Sequence, residues 1–238
     1  MADPTPAGTV LVCLPFAGSG GSFFRGWKLR APAGLEVLPV QLAGREERFD
    51  EPPPADVATA VADAYGQIRG GARIALFGHS LGAVLAYELA HRLTDGGAEV
   101  VALFASGSPD PWHGRTHRLT GLGDDDFMTG VQTITGHSHP ALADPEIREL
   151  VLPLLRSDIR MHEDYRAGSD RPLLPVPITA VRGRDDDLVS AADAGGWRRA
   201  TSAGFGTAEL DGGHMYLLDG PDPLLALIAE RLDLVGSP

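Results

Sequence analysis

Six short runs rich in Val, Ile and Leu recur along the chain, and the segments between them are helical in pattern. The runs are TVLVCL, LEVLPVQL, RIALFG, VVALFASG, PITAVRG and GTAEL. Near-continuous apolar runs of this length fit strands buried on both faces, which is how parallel sheets read. The helical patterns fall near residues 55–69, 80–94, 190–200 and 222–233. This alternation predicts an α/β fold: a mostly parallel central sheet with helices on both faces and ligands at the carboxyl ends of the strands. At 238 residues and 43% hydrophobic content, the chain is expected to form a single domain over 1–238.

One segment interrupts the alternation. From about 110 to 171 there is no apolar run, but two helical stretches occur, DDDFMTGVQTI and DPEIRELVLPLLRSDIRMHEDY. The second places Ile147, Leu150, Val151, Leu154, Leu155 and Ile159 close to a 3.6-residue period, with Pro153 expected to kink it. A helical insertion between two sheet strands is expected to cap the strand ends. Phe127, Met128 and Met161 are read as core residues that could also line a chamber beneath that cap.

A net charge of −12 argues against nucleic acid or an anionic membrane as the main partner, since both call for clustered Lys and Arg. The lone Cys13 precludes an intrachain disulfide and sits in an apolar run, so it reads as an inert core thiol. No secretory leader or membrane-length apolar stretch is recognisable in the sequence, and the expectation is a cytoplasmic protein.

The run RIALF leads into Gly78-His79-Ser80-Leu81-Gly82 and then into an amphipathic helix. A serine between two glycines at a strand-to-helix turn is the pattern of an exposed nucleophile: the turn is tight, and side chains at the flanking positions would collide. The helix that follows offers unpaired N–H groups, that of Leu81 among them. A serine at neutral pH needs a base, and the base needs an orienting group. His214 stands in ELDGGHMYLL, on a glycine-marked loop after the last strand. His113, His117, His137, His139 and His162 fall in the cap and read as surface residues; no further ligand set accompanies His137 and His139, so no metal is expected. His79 points elsewhere on the turn, and His91 lies mid-helix. The acid is sought after PITAVRG, where three aspartates follow Gly183. The order Ser, Asp, His is that of the α/β-hydrolases, whose Gly-x-x-Asp-x-x-Val spacing selects Asp186 over Asp185 and leaves Asp187 a solvated turn residue. The loop LPFAGSGGSFFRGW lacks the sixth-position glycine of a dinucleotide fingerprint, since Phe23 stands there. It can instead aim a backbone N–H at an oxyanion, with Ala17 the first candidate and Phe16 the second.

Taken in order, LPFAGSGGSFFRGW, VQLAGREERFDEPP, FGHSLGAVLAYELA, LADPEIRELVLPLLRSDIRMHEDY, PITAVRGRDDDLVS and DGGHMYLL resemble the marks of the type II thioesterases that accompany polyketide and nonribosomal peptide synthases. The Gly44–Arg48 stretch is more diagnostic than the serine motif. Asp187 stands where many relatives carry proline. The resemblance implies the α/β-hydrolase fold, hydrolysis of acyl thioesters on the phosphopantetheine arm of an acyl or peptidyl carrier protein, Ser80, Asp186 and His214 as triad, Ala17 and Leu81 N–H groups as oxyanion hole, and no cofactor. A stand-alone esterase or lipase and a catalytically silent acyl-binding protein remain alternatives. Arg25, Lys28, Arg45 and Arg48 lie near the site loops and are candidates for carrier docking.

Overall fold

Each of the six apolar runs forms a strand, and all six strands join one sheet. The computed structural model describes residues 8–69, 72–115, 118–136 and 144–234. The strands are β1 (Thr9–Leu14), β2 (Leu35–Pro39), β3 (Arg73–His79), β4 (Val100–Ser106), β5 (Ile178–Gly183) and β6 (Phe205–Leu210). Their order is β2-β1-β3-β4-β5-β6, and every neighbouring pair is parallel. The chain winds outward from β1 to β2, then returns past β1 to β3. That reversal opens a crevice at the carboxyl ends of β1 and β3, where α/β sheets bind ligands.

The helices are α1 (Arg25–Lys28), α2 (Val57–Gly66), α3 (Leu81–Asp95), α4 (Asp124–Thr135), α5 (Pro145–Asp164), α6 (Ala191–Gly195) and α7 (Asp222–Arg231). Strand side chains alternate between faces, so each strand feeds two cores. Val12, Leu14, Ile74 and Leu76 pack with Val61 of α2, Leu85 and Leu89 of α3, and Trp197. Leu11, Cys13, Ala75 and Phe77 point the other way, against Phe24, Trp27 and Ile228. Cys13 is fully buried, and burial pushes its thiol well above the usual range. It stays protonated and packs as a small apolar group.

Between β4 and β5 lies the expected helical insertion. Asp144 caps α5 by accepting the N–H of Glu146, and Pro145 occupies the first turn, where its missing N–H costs nothing. Pro153 lies inside the helix on its exposed side, and helical backbone continues through it to Asp164. Phe127, Met128 and Val131 of α4 pack against Leu152, Leu155 and Ile159 of α5, a separate apolar cluster that also touches Ala17 in the turn after β1. Met161 belongs to the main core.

His91 on α3 is buried with its ring 4.7 Å from that of Tyr87, edge to face. Burial, with help from the Arg171 charge, lowers its pKa to about 4. The folded protein holds this imidazole neutral, whereas an unfolded chain protonates it from about pH 6.5 downward. The stability it confers is therefore full above that pH and is lost as pH falls from about 6.5 toward 4, by at most about 1.4 kcal/mol per pH unit. Thermal melts at pH 7 and pH 5 should show this loss, and His91→Gln should flatten it; an unchanged pH dependence in that variant would exclude His91 as the source.

Candidate active site

β3 ends and α3 begins within the span Gly78–Gly82, and the turn is as tight as the sequence implies. Ser80 has φ 56° and ψ −116°, a conformation costly for any residue with a Cβ. A Cβ on Gly78 would lie 1.9 Å from the carbonyl oxygen of Gly82, and one on Gly82 would lie 2.5 Å from that of Leu14. No substitution fits at either position without moving backbone. Ser80 N–H is tied to Ser106 O at 2.8 Å, which fixes the turn to the end of β4. Leu81 is the first residue of α3, so its N–H has no acceptor within the helix.

The loops after β5 and β6 meet beside this turn. His214 Nδ1 lies 2.9 Å from Asp186 Oδ2. Asp186 Oδ1 accepts the N–H groups of Leu188 at 2.9 Å and Val189 at 3.1 Å. Burial alone would raise this carboxyl; the hydrogen bond and charge of His214 and these two N–H groups outweigh it and hold it below the ordinary carboxylate range. Arg182 of β5 braces the loop by donating to Val189 O and Asp186 O. Gly183 is bare because the histidine loop passes over it: a Cβ there would lie 2.1 Å from Gly213 O. Of the three consecutive aspartates, Asp186 is buried against His214, while Asp185 and Asp187 are exposed. His214 Nε2 is buried and has no hydrogen-bond partner among the described residues.

His79 packs beneath His214, ring centroids 4.9 Å apart. Its Nδ1 meets Ser106 Oγ at 2.9 Å, and Ser106 Oγ meets Tyr216 OH at 2.7 Å. Burial first, then the neighbouring His214, Arg115 and His162, push its pKa well down, so His79 is a neutral floor for the site.

After β1 the chain turns over Phe16–Ser19. Ser19 N–H and its hydroxyl both donate to Phe16 O, and Gly18 takes φ +76°. This leaves Ala17 N–H with no acceptor among the described residues, while Gly18 N–H donates to Asp158 Oδ2 at 2.8 Å. Asp158 comes from α5 in the cap and is buried in a two-pronged pair with Arg45: Nη1 to Oδ2 at 2.7 Å, Nη2 to Oδ1 at 2.9 Å. Arg45 Nη1 also donates to Ser19 O at 2.9 Å. One cation and one carboxylate thus join cap, turn and the Gly44–Arg48 stretch. Glu46 completes the bracket by accepting the N–H and hydroxyl of Ser22.

A family profile described as Thioesterase domain matches residues 9–232. The chain belongs to the thioesterase domain family. It is 38% identical over 230 residues to the AMB antimetabolite synthetase AmbE of Pseudomonas aeruginosa, covering 93% of this chain and 10% of AmbE. It is 34% identical over 224 residues to a probable cadicidin biosynthesis thioesterase of Streptomyces griseus, covering 93% of this chain and 62% of that one. The chain therefore spans less than two thirds of the length of either relative. Among solved structures, the type II thioesterase BorB from the borrelidin biosynthetic cluster superposes with a TM-score of 0.84 at 34% identity, covering 97% of this chain and 94% of BorB.

Within this thioesterase fold, a cavity of about 300 Å³ adjoins the site, lined by Ile134 and Gly136 of the α4 end and by Asp185, Leu188, His214 and Met215. A larger cavity of about 700 Å³ between α2, α3 and α5, lined by Glu88, His91, Arg160 and Tyr165, contains none of the candidate catalytic residues. Two expectations are corrected. His162 is not a surface residue: it is 2% exposed, with Nδ1 3.5 Å from Ser80 Oγ. Arg45 is not a docking cation, being buried on Asp158. Arg48 is held by Glu51 and Asp63, Arg25 pairs with Glu47, and only Lys28 of that set is exposed without an ion pair among the described residues. His113 is exposed and bonded to Asp110. His117, His137 and His139 lie outside the described residues. Among those described, no group of three or more His, Cys, Asp or Glu is placed to hold a metal ion.

Removing the charge at one end of the buried pair should be costly. Asp158→Asn leaves Arg45 buried without its counter-ion, and urea unfolding should report a loss of about 3–5 kcal/mol. A loss below about 1 kcal/mol would mean that the guanidinium finds water or another acceptor.

Proposed function

We propose that the protein hydrolyses acyl thioesters carried on the phosphopantetheine arm of an acyl or peptidyl carrier protein, clearing unwanted acyl groups from a polyketide or nonribosomal peptide synthase. The observation that carries this reading is the convergence of the strained Ser80 turn with the buried Asp186–His214 pair at one sheet edge. The names of the similar proteins, thioesterases of biosynthetic clusters among them, support the substrate class.

The chemistry follows from the geometry. Asp186 accepts the Nδ1 proton of His214 and so leaves Nε2 bare. Nε2 takes the hydroxyl proton as Ser80 Oγ attacks the thioester carbonyl. Negative charge gathers on the former carbonyl oxygen, to which the unclaimed N–H groups of Ala17 and Leu81 would donate; such donors are each worth about 3–4 kcal/mol in the transition state. The C–S bond breaks, and the thiolate leaves with the proton held by His214. A water then gives its proton to Nε2 and attacks the acyl-serine, and collapse frees the acid and restores Ser80. None of these steps calls for a metal or redox cofactor.

Among the described residues no helix is long and apolar enough to cross a membrane. The acidic chain and its free thiol fit work in the cytoplasm, with neither membrane nor nucleic acid as partner.

Ser80→Ala and His214→Ala should each lower turnover at least about a thousandfold, and Asp186→Asn should lower it heavily while Asp185→Asn stays near wild type. Intact-mass measurement of a panel of acyl-carrier proteins reads this directly. Carrier-bound thioesters should be cleaved with higher kcat/KM than N-acetylcysteamine or p-nitrophenyl analogues. Equal values would point to a general esterase, and no fluorophosphonate adduct at Ser80 to a silent acyl-binding protein.

A further inference from the structure

Ser80 has one hydroxyl proton to donate, and two imidazoles other than His79 lie near its turn. The first is that of His214, its Nε2 left bare because Nδ1 faces Asp186. The second comes from the cap. His162 on α5 presents Nδ1 to Ser80 Oγ at 3.5 Å and Nε2 to Ser108 Oγ at 3.4 Å. Donor counting assigns its tautomer. The Ser108 hydroxyl gives its proton to Pro109 O at 3.1 Å, so toward His162 it offers a lone pair. On that assignment Nε2 carries the hydrogen, and Nδ1 is the acceptor facing Ser80. In this arrangement Ser80 is engaged by the cap histidine, while His214 Nε2 is without a partner.

We infer that His162 is a positioning residue that holds the Ser80 hydroxyl off His214 at rest, and that an acyl-pantetheine arm entering beneath the cap displaces it. The inference rests on the reading of Ser80 as nucleophile and His214 as base. His162 is poorly suited to be the base itself. Its far nitrogen meets a neutral hydroxyl where His214 meets a carboxylate. Burial, and then the charges of Arg115, His214 and Arg166, disfavour its protonated form. The contact is also long for a hydrogen bond, weak enough for a ligand to break. Because His162 rides on α5 and His214 on the loop after β6, the two compete as cap against the sheet's carboxyl end. A substrate that lifts or fills the cap tips the serine toward its base.

Fluorophosphonate labelling of Ser80 and hydrolysis of N-acetylcysteamine thioesters, neither of which brings a carrier protein, test this together with thermal melts. His162→Leu should label about two- to tenfold faster than wild type, the population change expected on losing one weak neutral hydrogen bond. His162→Gln, whose amide oxygen can still accept from Ser80, should stay near wild type. A Leu variant that melts like wild type yet labels no faster overturns the inference. So does a loss of turnover in both variants as large as that of His214→Ala, which would make His162 the base. A second measurement does not depend on these variants folding. In imidazole 15N spectra, Ser80→Ala should shift His162 Nδ1 and leave His214 Nε2 unmoved; the reverse pattern overturns the inference. If wild type takes no label at all, the hydrolase reading fails, while the spectra still decide which imidazole the serine engages.

Discussion

The site depends on a backbone that a side chain at either flank would destroy. Ser80 sits at φ 56° because β3 must become α3 within a single residue, and the turn closes only if Gly78 and Gly82 carry nothing. Strain of this kind costs about 1–3 kcal/mol and persists only where surrounding structure over-determines it. Here β3 and α3 are buried along nearly their whole length, and the Ser80 N–H is pinned to β4. The other functional loops converge on that fixed point. The β5 and β6 loops cross at Gly183, again through a missing Cβ, and the β1 loop arrives under Gly82. Bare glycines set the distances at which the candidate catalytic side chains can meet.

Burial does the electrical work. His79 and His162 are both enclosed and both held neutral, and what tells the three imidazoles around the serine apart is their partners. His214 has a carboxylate behind it, His79 has the Ser106 and Tyr216 hydroxyls, and His162 has Ser108. Only the first arrangement sets a carboxylate behind the ring. The same logic explains why Asp186 stays ionised although enclosed: two backbone N–H groups and the imidazole replace the water it lost.

Much of this was legible in the sequence. Strands buried on both faces are written as uninterrupted apolar runs, and the triad candidates lie where such runs end at glycines. Strand order was not legible, because pairing depends on contacts between distant segments. Two polar residues, His162 and Arg45, were misread, each for its own reason. On α5 the face turned inward carries Leu155, Asp158, Ile159 and His162, a helical i, i+3, i+4, i+7 set that mixes apolar with titratable side chains. An apolar stripe reveals only half of it. Arg45 looked like a surface cation because its partner lies 113 residues away. The expected helix over 190–200 splits into α6 and a 3-10 turn, Gly196–Ala200, where Gly196 presses so close to Asp110 that a Cβ would lie 2.2 Å from its carboxylate.

The pairing of Arg45 with Asp158 has a consequence for how proteins built this way diverge and can be recombined. The roof over the site is not an independent module. Its acid neutralises a cation rooted in the segment after β2 and also grips the turn that presents Ala17. A chimera that exchanges only the helical insertion must import a carboxylate at the same helical turn, or it strands a buried guanidinium and slackens the turn below. Roof and floor are bound to be inherited together, and chain-length specificity drawn from another roof comes with that condition attached.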